Sequence, residues 1–188
     1  PAEKADGENE AEAGSDKQEP KSSRSELSTE ESLALLADIG LQTASDPDRA
    51  QDFELPRLDS EDSRSLSSYE GNLVLLNFWA SWCPPCIEEM PSMQSLYDEL
   101  NGQNFEIVAV NLQEDPSTVQ SFIDEHGFNF PVLLDRNGGT ASQYGVRGIP
   151  TSYIIGKDGQ VLARKVGFHE WDGEDTVAAF KRLSRASD

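Results

Sequence analysis

Cys83 and Cys86 are the two cysteines in a chain of 188 residues, spaced C-x-x-C. Ahead of them Leu73-Val74-Leu75-Leu76-Asn77-Phe78-Trp79 is apolar on both faces, the pattern of a buried strand. Behind them Ile87, Met90, Leu96, Tyr97 and Leu100 recur at helical spacing, and Asn101-Gly102 stops the run. Trp82-Cys83-Pro84-Pro85-Cys86 therefore opens a helix directly after a strand. Unpaired N–H groups and the dipole at a helix start favour an anion there, which lowers a thiol pKa. A free thiol near pKa 8.5 is about 3% thiolate at pH 7, whereas one near 7 is about half ionised. Pro84 fits the first turn, where no hydrogen bond is lost. Two intervening residues let one sulfur reach the other, so a mixed disulfide can be resolved within the molecule. Cys83, nearer the helix start and the surface, is the candidate attacking thiol, and Cys86 the resolving one. A zinc site would need two more ligands, and His126 and His169 lie far apart in sequence. A purely structural disulfide closing so short a loop would add little stability.

The elements that must hold this pair follow from the rest of the pattern. Phe53, Leu55 and Leu58 alternate with polar neighbours, Asp59 to Asp62 can turn, and Ser63 to Leu66 can return, which predicts a hairpin. Phe105 to Val110 reads as a second buried strand, Ser117 to Glu125 as a helix with Val119, Phe122 and Ile123 inward, and Phe130 to Leu134 as a short strand. Thr140 to Tyr144 is a short helix. Thr151–Ile155 and Val161–Val166 flank an Asp-Gly turn, and Asp172 to Leu183 closes the chain as a helix with Val177, Phe180 and Leu183 inward. Alternation of strand and helix predicts parallel pairing first and antiparallel strands last. The fold class is α/β: a mixed central sheet with helices on both faces, preceded by a β-hairpin.

Ahead of this domain, residues 1–26 form an acidic segment almost free of large apolar side chains, expected to be disordered. Residues 27–52 read as a short helix and linker. Ser28-Thr29-Glu30-Glu31 resembles a helix start, Leu33, Leu36 and Ala37 form a stripe ending at Gly40, and Thr43 to Asp52 is a connector. Residues 53–188 are the folded domain. The chain starts with Pro, so any export signal or anchor is expected to lie upstream of it.

Charge narrows the range of partners. The 35 acidic and 15 basic residues give a net charge of −20. Residues 1–52 carry 14 acids and 5 bases, against 21 and 10 in residues 53–188. So acidic a surface does not suit nucleic acid or anionic lipid, and no apolar run reaches the roughly 18 residues of a membrane span.

Phe78-Trp79-Ala80-Ser81-Trp82-Cys83-Pro84-Pro85-Cys86 resembles the active-site strand and helix of the thioredoxin superfamily. With Ile87-Glu88-Glu89-Met90-Pro91 it gives W-C-x-P-C-x-x-E-x-P, which resembles the TlpA/ResA/CcmG-like thiol–disulfide oxidoreductases. Ile107 to Glu114, Phe130 to Asp135 and Gly148-Ile149-Pro150-Thr151 match that branch's second strand, the return strand of its central αβ insert, and its cis-proline loop. The resemblance implies a thioredoxin-like fold and exchange with disulfides of partner proteins, without metal or organic cofactor. It implies a substrate-binding rim of Trp82, Pro84, Pro85, Ile149 and Pro150, with Ile149–Pro150 cis. It further implies a monomeric reductase outside the cytoplasm, tethered by an N-terminal anchor. Electrons would come from a membrane thiol–disulfide protein and go to partners such as apocytochrome c.

Ordinary thioredoxins carry a buried Asp below the cysteines. Here Asn77 stands at that place and cannot take a proton. Glu89, three residues after Cys86 and on the same helix face, is the candidate proton acceptor. Glu114 matches a second acidic position of the branch and is a candidate proton relay. Pro91 is expected to kink the helix, Trp79 to pack, and His126 and His169 to be structural or exposed. Two rivals are a peroxiredoxin-like peroxidase, which needs Thr where Ala80 stands, and a non-catalytic partner-binding module.

Overall fold

Leu73–Trp79 is the central strand, β4 below, and all seven of its residues are buried, because both faces of the sheet are covered. A computed structural model describes residues 27–185 of the chain; the acidic segment 1–26 lies outside the described residues. In chain order the elements are α1 (Thr29–Asp38), β1 (Gln42–Thr43), β2 (Glu54–Pro56), β3 (Ser63–Ser65), a 3₁₀ turn (Leu66–Tyr69), and β4. Then come α2 (Pro84–Glu99), β5 (Phe105–Leu112), α3 (Pro116–His126), β6 (Val132–Asp135), α4 (Gly139–Gln143), β7 (Thr151–Ile155), β8 (Val161–Val166) and α5 (Glu174–Ser184).

The main sheet has the order β1-β8-β7-β4-β5-β6. β4 runs parallel to β5, and β5 to β6, while β7, β8 and β1 are antiparallel additions. The α3–β6 unit extends the parallel edge, as the central insert requires. The β2–β3 hairpin then covers that edge: Leu58 N–H donates to the Val132 carbonyl at 3.0 Å, and Arg57 bridges to Leu133.

Alternation along β4 sorts the core into two layers. Leu73, Leu75 and Trp79 face one layer with Leu36 of α1, Met90, Met93 and Leu96 of α2, Val119 and Ile123 of α3, and Phe180 and Leu183 of α5. Val74, Leu76 and Phe78 face the other layer, with Phe53, Leu55, Leu66 and Ala141. Helices therefore lie on both faces, but unequally. Four cover the active-site side, while the opposite side is closed by α4, the hairpin and the 3₁₀ turn.

Two local expectations change. In α1 the capping box of Ser28 and Glu31 forms, but Ala37 is exposed, and Ser32 and Leu36 are the buried residues. The cause is docking: Leu36 is wholly buried on the domain, which sets the rotation of the helix. The expected connector starts with a strand residue, because Gln42 and Thr43 pair with Arg164 and Ala163 at the end of the sheet. So short a strand carries no sequence periodicity, and β8 supplies its pairing. Pro91 is accommodated inside α2, which continues to Glu99.

Candidate active site

β4 ends at Trp79, and Ala80 to Cys83 forms a tight turn closed by Cys83 N–H to the Ala80 carbonyl at 3.2 Å. Cys83 is the N-cap of α2, and its sulfur accepts the Cys86 N–H at 3.3 Å. The sulfur thus meets an otherwise unpaired donor at the helix start, the environment that favours a thiolate. Cys83 and Cys86 are joined as a disulfide with Cα atoms 5.3 Å apart. Cys86 is fully buried and Cys83 is 3% exposed.

Ile149–Pro150 is cis, and the Ile149 carbonyl oxygen lies 3.6 Å from Cys83 Sγ. Of the other expected rim residues, Trp82 is 68% exposed and Pro84 and Pro85 are exposed. Two exposed apolar residues beside the proline loop escaped the sequence reading. Val166 and Phe168 are, with Trp82, the exposed large apolar side chains among the described residues. Val166 pairs with Thr151, and Gly167 N–H donates to the Pro150 carbonyl at 2.8 Å, so both flank the proline loop. An apolar pair around a glycine at a strand end was the available signal, but its nearness to the proline loop depends on β7–β8 pairing.

Glu89 is fully buried on the sheet side of α2. Its Oε1 accepts from Asn77 Nδ2 at 2.8 Å, and its Oε2 accepts the His169 N–H at 3.1 Å and the Trp171 Nε1–H at 3.3 Å. Burial pushes its pKa up to about 7, against the pull of the three donors and of Lys165. Trp171 N–H also donates to Ser92 Oγ at 3.0 Å, so the β8–α5 connection is latched onto α2. His169 is half-buried, and its ring pKa is held down by burial and then by Lys165. Its backbone, rather than its ring, meets the carboxylate. Trp171 carries no motif signal and was not singled out.

Glu114 sits elsewhere in the site. Its carboxylate accepts Ser81 N–H at 2.8 Å, Ser81 Oγ–H at 2.5 Å and Asn111 Nδ2–H at 2.6 Å. It fastens the turn leading to Cys83 rather than facing Glu89. Gln113 before it adopts φ +56°, a left-handed conformation uncommon for a side-chain-bearing residue, and this re-aims the chain after β5. Trp79 is buried and packs against Phe122, with ring centroids 5.4 Å apart. His126 ends α3 with Nδ1 2.8 Å from the Phe122 carbonyl and its ring stacked on Phe122. Among the described residues no group of three or more His, Cys, Asp or Glu could hold a metal ion.

A closed C-x-x-C at a helix start, over a buried acid and against a cis-proline loop, on this mixed sheet defines a thioredoxin-fold thiol–disulfide oxidoreductase. The AhpC/TSA family model matches residues 47–164, and the chain belongs to that family. Within the superfamily it is ResA/CcmG-like. It is 41% identical over 120 residues to the thiol-disulfide oxidoreductase ResA of Halalkalibacterium halodurans, covering 64% of this chain and 68% of that one. To ResA of Oceanobacillus iheyensis it is 44% identical over 117 residues, 61% of each chain. The chain thus spans about two thirds of the length of these relatives or slightly less. Among solved structures, a thiol:disulfide interchange protein assigned as DsbE from Chlorobium tepidum is similar with TM-score 0.65 and 36% identity, covering 73% of this chain and 99% of that one. StoA from Bacillus subtilis is similar with TM-score 0.59 and 29% identity, covering 68% and 96%.

Proposed function

We propose that this enzyme reduces disulfides of partner proteins outside the cytoplasm. Cys83 thiolate attacks a partner disulfide, forming a mixed disulfide and releasing one partner thiolate. Cys86 then attacks the Cys83 sulfur, which releases the second partner thiolate and leaves the Cys83–Cys86 bond. Two electrons pass to the partner, and the Cys83–Cys86 disulfide is the form this reaction would leave. Glu89 takes the Cys86 proton, since it lies one turn further along the same buried helix face and burial raises its proton affinity to the neutral range. Trp82, Pro84, Pro85, Ile149 and Pro150 receive the partner, with Val166 and Phe168 extending the rim. Glu114 positions the Cys83 turn and is not proposed as a relay. The single observation that carries this reading is Cys83 Sγ set between the Cys86 N–H and the Ile149 carbonyl.

Apocytochrome c is a candidate partner and a membrane thiol–disulfide protein the candidate electron donor, both on the family resemblance. Tethering to a membrane through an N-terminal anchor is part of this proposal, residues 27–52 dock on the domain, and it acts as a monomer. No helix among the described residues is long and apolar enough to cross a membrane.

Two measurements test this reading. Equilibration with glutathione buffers gives the reduction potential. A value well below the glutathione couple is expected, and a value above it would make the protein a disulfide donor. The Cys86→Ser variant is expected to hold insulin, used as a test disulfide protein, in a stable mixed disulfide through Cys83. Without such an adduct, the assignment of Cys83 as attacking thiol fails. A peroxidase reading draws on the AhpC/TSA match. Ala80 stands where that chemistry needs Thr, so hydrogen peroxide turnover is expected to be negligible beside disulfide exchange.

A further inference from the structure

Asn77 touches Glu89 directly and also reaches Ser152 of β7, which places a carboxamide between the buried acid and a hydroxyl. We propose that Asn77 is a positioning residue for the exchange reaction: its amide turns over as Glu89 gains and loses a proton, so that the proton is held on Oε1. The inference rests on the reading that Glu89 carries the Cys86 proton.

The two oxygens of Glu89 have different company. Oε2 faces the His169 N–H and the Trp171 Nε1–H, and neither group can accept a hydrogen bond. A proton on Oε2 would meet donors only. Oε1 has one partner, Asn77 Nδ2 at 2.8 Å, and a carboxamide can present either NH₂ or C=O from nearly the same volume. While Glu89 is ionised, the NH₂ must face it, since a carbonyl there would set two oxygens against each other. The same Nδ2 donates to Ser152 Oγ at 2.9 Å, and that hydroxyl donates or accepts by rotating. Asn77 Oδ1 is buried and accepts from no protein group. When Glu89 takes a proton, a half-turn of the amide lets Oδ1 accept both the carboxyl O–H and the Ser152 O–H. The NH₂ then loses its two acceptors, so the turned state is the higher one. Asn77 therefore favours the carboxylate and works against burial, which favours the acid.

An aspartate at this place would act differently, because two facing carboxyls share a proton and hold it to higher pH. Of the other charged or titratable groups around Glu89, Lys165 of β8 acts on it through its charge, His169 meets it through its backbone N–H, and Cys86 lies one turn earlier on α2. Burial keeps the His169 ring toward its neutral form, and the Asn77 amide is the partner that can follow the proton by turning.

The test uses the full chain with its disulfide closed, so that no thiol titrates. Carbon-13 NMR of the Glu89 carboxyl gives its midpoint, and nitrogen-15 NMR of the Asn77 side-chain amide reports the turn. The Asn77 NH₂ resonances are expected to move with the Glu89 midpoint. Asn77→Leu is expected to raise that midpoint by about one to two pH units, and the milder Ser152→Ala by less. An Asn77 amide that stays flat through the Glu89 titration overturns the proposal even if Asn77→Leu fails to fold. So does a Glu89 midpoint unmoved in the variants that fold. Alkylation of the reduced protein against pH separates the two readings. If Glu89→Gln leaves that curve unchanged while the amide and the midpoints behave as expected, the coupling of the Asn77 amide to the Glu89 proton stands, and the proton-carrier reading falls together with the part of Asn77 in the exchange.

Discussion

At the scale of single residues, burial moves the titration of Glu89 into the neutral range. Its carboxyl is ordinary at about 4.5 in an unfolded chain and is raised to about 7 by burial in the folded one. Between those values the folded state binds the extra proton, so stability falls as pH rises. The contribution is fully present below the unfolded value and is lost as pH passes the folded one. A gap of this size is worth on the order of 3 kcal/mol. Urea denaturation of the oxidised protein from about pH 4 to pH 8 is expected to show this decline, and Glu89→Gln to lack it. The oxidised form is the right material, because the cysteines then contribute no titration. Much of the residue chemistry was legible beforehand. C-x-x-C, its strand and its helix are contiguous, so spacing alone places one cysteine at the helix start and the other a turn within. Glu89 was legible by its helical offset from Cys86. Its partners were not, since Asn77 lies 12 residues away, His169 80 and Trp171 82.

At the scale of elements, the reactive turn is tied down by its neighbour in the sheet. β4 and β5 are parallel, so their C-terminal ends lie side by side, with Trp79 opposite Asn111. Glu114, two residues past β5, can then reach Ser81, two residues past β4. Glu114→Ala is expected to leave the Ser81 N–H and the Asn111 amide without that acceptor, at a cost of about 1–3 kcal/mol. Hydrogen exchange at Ser81 is expected to speed up while the β4 amides stay protected. Equal loss along β4 would mean that the carboxylate supports the whole sheet rather than this turn. The strand register that makes this clamp is visible only in the pairing, which is why Glu114 reads from sequence as an acid near the site and not as an anchor.

At the scale of the whole molecule, the domain begins earlier than the α/β pattern suggests. α1 packs through Leu36, and β1 adds to the β8 edge, so residues 27–43 are joined to the same core that supports the dithiol. Leu36→Ala is therefore expected to cost about 2–5 kcal/mol, the range of a core leucine. An effect well under about 1 kcal/mol, typical of exposed positions, would show that α1 is loosely attached. The measurement is the shift in urea midpoint at constant slope. The amino-acid order by itself determined the strand–dithiol–helix unit, the β7–β8 hairpin and the two-faced burial of β4, because each is encoded by neighbours within one or two turns. Tertiary structure alone decided which face α1 buries, that Glu114 holds a loop, and that Asn77, His169 and Trp171 converge on one carboxylate. Those contacts join segments distant in sequence, and only the packing of α2 and the β8–α5 connection against the sheet brings them within hydrogen-bonding distance.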